Sequence, residues 1–172
     1  MKSFAYPTLI ILFCNISFAE DFRTLNFGES CVDIEAGEQL LGSQRSEEST
    51  DKLQVYEGVH LDRAVTIVYL CNEQSELKKG VYYFRFTTEP GLDSFFDVAK
   101  PQLEYQFGEP NFSGAELKNV TKAYNLSKAY SETLEFLLTW ETEHMEIQTN
   151  ASGNFDEPDP EKLFTISFKP IN

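Results

Sequence analysis

Two stretches, Ala64-Val65-Thr66-Ile67-Val68-Tyr69-Leu70-Cys71 and Gly80-Val81-Tyr82-Tyr83-Phe84-Arg85-Phe86-Thr87, decide the fold class. Val65, Ile67 and Tyr69 point one way, and Tyr82, Phe84 and Phe86 do the same in the second stretch. A period of two marks strands buried on one face. Leu53 to Glu57 precedes them as a further strand. The pattern then recurs in Thr133 to Glu141, His144 to Ala151 and Leu163 to Lys169. The alternating apolar residues there are Leu134, Phe136, Leu138 and Trp140, then Met145 and Ile147, then Phe164, Ile166 and Phe168.

Each set of three strands follows a segment with helical spacing. Ser30-Cys31-Val32-Asp33 opens one that ends at Gly42, and Ser94-Phe95-Phe96-Asp97 opens another that ends at Gly108. In both, a serine is placed to cap the first turn, an acid follows three residues on, and a glycine supplies the stop. Cys31, Ile34 and Leu41 fall on one face of the first helix, and Phe95, Ala99, Leu103 and Phe107 on one face of the second. Pro101 is expected to kink or restart the second helix. The order implies an α+β fold: two tandem helix-plus-three-strand repeats, about 22–90 and 91–172, forming an antiparallel sheet with the helices packed on one face. Residues 43–52, 109–132 and 152–161 have the composition of loops. In the middle one, Ala115, Leu117, Val120 and Tyr124 have loosely helical spacing.

Residues 1–19 read as a removable secretion signal. Lys2 supplies the positive start, Leu9 to Phe13 the apolar run, and Ser17-Phe18-Ala19 the small residues of a cleavage site. The apolar run is well short of the roughly 20 residues that cross a bilayer. Phe13 is too bulky to precede a lipidated Cys14. Residues 20–172 are then a single exported domain, periplasmic or secreted. The full chain has 28 acidic side chains against 14 basic ones, a formal net charge of −14, and only Lys2 of these lies in the leader. Such a surface repels nucleic acid and anionic lipid and attracts basic proteins. Loss of Cys14 with the leader leaves Cys31 and Cys71 as an even pair in an oxidising compartment, which means one disulfide. No C-x-x-C is present to make the pair redox-active.

The sequence carries no G-x-S-x-G elbow, Cys-His pairing or phosphate-cradling glycine loop, and its only histidines are His60 and His144. It is therefore expected to be non-enzymatic and to need no cofactor. The strongest enzyme alternative places Glu141, Glu143, His144 and Glu146 around one turn. His144 and Glu146 there are the weak metal-ligand candidates for a metal-assisted hydrolase, or for a small-ligand site in the same region. The loop from Asp156 to Glu161 holds four carboxylates but lacks the alternating ligands and central glycine of an EF-hand. The candidate binding face is the outer side of the sheet, where Tyr56, Val68, Tyr83 and Leu137 lie beside Arg85, Thr66 and Glu135. Asn111, Asn119, Asn125 and Asn150 sit in N-x-S/T sequons, which are glycan acceptors only in a eukaryotic secretory pathway.

The runs Phe27-Gly28, Tyr56-Glu57-Gly58, Val65 to Tyr69, Leu77 to Phe84 and Phe107-Gly108-Glu109-Pro110, with Trp140, resemble those of small bacterial periplasmic proteins of uncharacterised function. The layout is also similar to the tandem repeats of β-lactamase inhibitory proteins. It is more loosely similar to the small lipoprotein of the outer-membrane β-barrel assembly machinery, without a lipidation motif of that kind. The resemblance implies a tandem-repeat fold and a binding module. With the open sheet face, the acidic charge and the missing catalytic motif, the expected function is an inhibitor or accessory protein acting on an extracytoplasmic protein, a basic one by charge, through that face.

Overall fold

A computed structural model describes residues 21–117, 133–153 and 161–171. The leader, Asn119, Val120, Tyr124, Asn125 and the run from Asp156 to Pro160 lie outside the described residues. The described strands are β1 (Gln44–Arg45), β2 (Leu53–His60), β3 (Arg63–Cys71), β4 (Leu77–Phe86), β5 (Phe112–Ser113), β6 (Leu138–Glu141), β7 (Met145–Ser152) and β8 (Lys162–Pro170). They form one sheet in the order β1-β2-β3-β4-β8-β7-β6-β5, with every pairing antiparallel. Two helices, α1 (Ile34–Leu40) and α2 (Glu89–Phe107), complete the α+β fold. The edge strands β1 and β5 were not expected, because two residues are too few to display a period.

The period-two pattern becomes register. Ile67 pairs with Tyr82, Tyr82 with Ile166, and Phe84 with Phe164, so the inward side chains of β3, β4 and β8 line up in rungs. Leu92, Phe95, Ala99 and Leu103 of α2 are buried in the same core. The Phe95 ring lies 4.5 Å from Phe84 and 5.6 Å from Phe164, and Phe96 lies 5.0 Å from Phe136. Aromatic pairs at these separations add about 0.5–1.5 kcal/mol each beyond their area. Thr133 to Glu141 is not one strand. Leu134–Phe136 forms a 3-10 turn before β6, yet Leu134, Phe136, Leu138 and Trp140 are all buried as the alternation required.

The helix boundaries also depart from expectation. α2 starts at Glu89, where the Thr88 hydroxyl accepts the Gly91 N–H at 3.2 Å and Pro90 occupies the first turn, a position its missing N–H favours. Ser94 is therefore inside the helix and donates its hydroxyl to the Pro90 carbonyl at 2.8 Å. Pro101 lies on the exposed side and the helix continues past it. At the first helix Ser30 does cap, but it caps a 3-10 turn, Cys31–Asp33, that leads into α1. Leu41 is 54 % exposed, and the buried positions of α1 are Ile34 and a charged residue, Glu38.

The segment before α1 is a structural part that the pattern did not reveal. Phe22 and Leu25 exchange backbone hydrogen bonds across a tight turn. The Phe22 ring then lies 5.0 Å from both Tyr69 and Tyr82 and 5.4 Å from Phe168. It sits directly over Gly80, where an added Cβ would come within 2.2 Å of the ring. Glycine is required at position 80 by this close approach rather than by any turn.

Cys31 and Cys71 form a disulfide that closes a 40-residue separation and ties the start of the first helical segment to the end of β3. Reduction is expected to lower the melting temperature by roughly 10 °C, combining loop closure with the thermal sensitivity of a chain this size. Coincident melting curves with and without reductant would contradict this. Gly80→Ala is expected to destabilise by about 2 kcal/mol or more in a denaturant titration, because either the strand or the Phe22 ring must move.

Candidate functional site

Val68, Tyr83 and Arg85 do share the face of the sheet opposite the main core. Val55, Val68 and Val81 form a separate buried cluster there, with Tyr83 packed against it. They occupy one rung that continues through Ser167, Gln148 and Thr139 to Phe112. Leu53 and Leu70, a cross-strand pair, stand exposed beside the cluster. Arg85 makes an exposed ion pair with Glu161 at 3.3 Å.

One of the expected face residues lies elsewhere. Tyr56 is 1 % exposed and belongs to the main core, with its hydroxyl bonded to Gln54 at 2.9 Å and its ring 6.0 Å from Tyr69. Pairing of Tyr56 with Ile67 sets that side, and in a strand a one-residue shift exchanges the faces. Leu137 precedes β6 at the end of a 3-10 turn, where its carbonyl accepts the Gly114 N–H at 2.7 Å.

His144 and Glu146 do not converge. Glu146 pairs with Lys169 across the strands, with a 3.0 Å ion pair, whereas His144 lines a cleft bordered by Tyr82 and Phe168 of the opposite face. Among the described residues no group of three or more His, Cys, Asp or Glu is placed to hold a metal ion. Asn111 and Asn150 are the sequon residues described. Asn111 accepts the Glu141 N–H at 2.6 Å, and Asn150 is exposed on β7.

The cleft beside His144 brings together residues far apart along the chain. It measures about 310 Å³ and lies between the N-terminal turn (Asp21, Phe22, Arg23), the end of α2 (Leu103, Gln106, Phe107) and the β6–β7 turn. His60 enters it from the end of β2 and stacks on Tyr82, with centroids 4.1 Å apart and planes at 13°. Beyond His60 a second hollow of about 440 Å³ is bounded by Leu61, Pro101 and Tyr105. Both histidines of the chain therefore line one cleft.

Beneath it runs a buried polar network. Arg23 binds Glu38 through Nε at 2.6 Å and Nη2 at 3.0 Å, and Nη2 reaches Ser43 at 3.3 Å. Glu38 is fully buried and also accepts the Tyr69 hydroxyl. Burial opposes the Arg23 charge, but the Glu38 bond, with help from Tyr82, outweighs it and raises the guanidinium pKa. Burial first, and the Glu38 bond second, push the Tyr69 phenol up. Tyr82 is pushed up to about 12, mainly by burial. Arg23 has a positive φ of 52°, a left-handed backbone that costs a non-glycine residue about 1 kcal/mol and persists only where its surroundings enforce it. Removing either member of a buried pair like this one leaves a lone charge, a loss of about 3–5 kcal/mol.

No family model, curated protein or solved structure matches the chain.

Burial, and then the Arg23 charge, hold the His60 imidazole at about 4, below its ordinary 6.5. Between those values the unfolded chain binds the proton and the folded chain does not, so stability rises with pH across the window. The contribution is complete above the unfolded value and is lost as pH falls toward the folded one. Wild-type melting temperature should therefore fall between about pH 7 and about pH 5, and His60→Phe, which keeps a ring on Tyr82, should fall less. Equal falls in the two proteins would remove His60 from this role.

Proposed function

We propose that this chain is a non-enzymatic exported binding module, an inhibitor or accessory protein that holds an extracytoplasmic protein against the outer face of the sheet. The observation that carries it is the exposed cross-strand pair Leu53 and Leu70 with half-buried Tyr83, set beside the buried cluster of Val55, Val68 and Val81 on the side away from the residues that α2 contacts. Export is supported by the Cys31–Cys71 disulfide, and no helix among the described residues is long and apolar enough to cross a membrane. A tandem repeat is supported by the element order: each half runs helix, two-residue strand, three longer strands, and the last strands of the halves are neighbours.

Charge distribution refines the partner. On the outward positions of the described strands, Glu57, Glu141 and Glu146 are balanced by Lys79, Arg85 and Lys169. The helices instead present Glu35, Glu89, Asp93, Asp97 and Glu104 against the single Lys100. The acidity that would steer a basic protein thus lies away from the face that would hold it. The partner this face fits presents an apolar centre with mixed charges around it, and its grip survives high salt.

A second function is favoured by a different observation. His144 and His60 line one cleft, which supports small-ligand binding in the His144 region; the metal-assisted hydrolase loses its support because Glu146 is engaged by Lys169.

Crosslinked capture from the native extracytoplasmic fraction, followed by purification of the captured protein, supplies a partner whose affinity can be measured. Val68→Asp and Tyr83→Ala are each expected to weaken it by about tenfold or more, as central apolar contacts do. Unchanged affinity in both variants, with folding intact, would show that the sheet face is not the docking surface.

A further inference from the structure

We propose that the cleft between the N-terminal turn, the end of α2 and the β6–β7 turn binds a small uncharged aromatic molecule bearing one hydrogen-bonding group, a phenol or an aromatic amide. This deepens the small-ligand reading of the His144 region and is independent of docking on the sheet face.

The size and lining set the body of the ligand. At about 310 Å³ the cleft stands at the lower end of ligand sites in general. An apolar cavity of about 150 Å³ already holds benzene, so one substituted ring fits here with room to spare. The walls are Tyr82, Leu103, Phe107, Met145 and Phe168. Face and edge contacts with such rings favour an aromatic guest over a flexible chain.

The polar groups set its head. His60 is half-buried, and among the described residues neither of its ring nitrogens has a hydrogen-bond partner. Its ring is fixed by the stack on Tyr82, so a donor and an acceptor are presented in a set direction. Gln106, also without a partner, adds an amide at the rim. A neutral imidazole beside an amide matches a hydroxyl or a carboxamide.

Charge sets what is excluded. The two charged groups of the lining are already used. Asp21 accepts the Phe27 N–H at 3.0 Å, and Arg23 is held by Glu38. A charged guest would lose hydration without gaining a partner of opposite sign. Its own desolvation keeps His60 neutral, so that ring offers no counter-charge.

Backbone strain points to the same place. His60 leads into a two-residue turn in which Leu61 and Asp62 both have positive φ, 51° and 56°. That turn ordinarily carries Asn-Gly. A leucine there is strained, and its side chain forms a wall of the adjoining hollow. With Arg23, three of the four non-glycine residues of positive φ among the described residues lie in or beside the site. Such clusters of strain are typical of ligand sites.

The test uses the full disulfide-bonded chain and fluorine NMR with three single-ring probes: para-fluorophenol, para-fluorobenzoate and para-fluorobenzylamine. Saturable broadening is expected for para-fluorophenol, with the anion and the cation binding about tenfold more weakly or not at all. His60→Ala should weaken para-fluorophenol by about fivefold to tenfold, the value of a hydrogen bond and its stack. Gln106→Phe, an exposed helix position that fills the cleft from its rim, should abolish binding without touching the core. Emission from Trp140, the only tryptophan, checks that each variant is folded. A para-fluorophenol signal that stays sharp, or is broadened equally by wild type and Gln106→Phe, overturns the site. Tighter binding of either charged probe overturns the uncharged class while leaving a small-ligand site in place.

Discussion

Everything else in the molecule depends on the pairing of β4 with β8. Gly80 to Phe86 runs antiparallel to Lys162 to Phe168, and this one ladder joins strands β1 to β3 on one side to β7, β6 and β5 on the other. Without it there are two four-stranded pieces, each with a long unpaired edge. With it, Tyr82 and Phe84 face Ile166 and Phe164, and α2 has a continuous apolar floor on which to place Phe95. The helix follows β4 directly and lies across the seam it creates.

The seam also explains why a polar network can be buried nearby. Phe22 lies over Gly80 at the middle of the sheet, and the adjoining Arg23 is thereby directed toward Glu38 of α1. The charge pair is expensive to desolvate, so its value is in specifying one arrangement: bidentate contact with Glu38, a bond to Ser43, and the Tyr69 hydroxyl donated to the same carboxylate. The same turn brings Asp21 and Arg23 to the edge of the cleft. Core specification and site construction are here the work of the same few residues.

The strands were legible because their signal is local. Val65, Ile67 and Tyr69 needed no knowledge of their neighbours to be placed on one side, nor did Phe164, Ile166 and Phe168. Helix limits were less so, since Ser94 and Thr88 are equally plausible caps until Pro90 is weighed as a first-turn residue. Tyr56 was misplaced for a subtler reason: Val55 and Tyr56 are both buried, on opposite faces, and only the pairing with Ile67 and Val68 separates them. The cleft was hidden altogether. His60, Arg23, Leu103 and His144 come from four elements, and no spacing along the chain announces that they meet. The one available hint was Leu61-Asp62, a pair of ill-suited residues at a position where a two-residue hairpin turn wants glycine.

The position of Phe22 has an implication for how the protein comes to exist. It packs beside Phe168, so one of the first described side chains meets one of the last. During synthesis, and during any passage of the chain through a channel from its leading end, Phe22, Tyr69 and Tyr82 have no complete set of partners until β8 is made. Contacts that span so much sequence must wait for the closure of a large loop and make folding slow. The aromatic core is thus incomplete until the last strand joins the sheet.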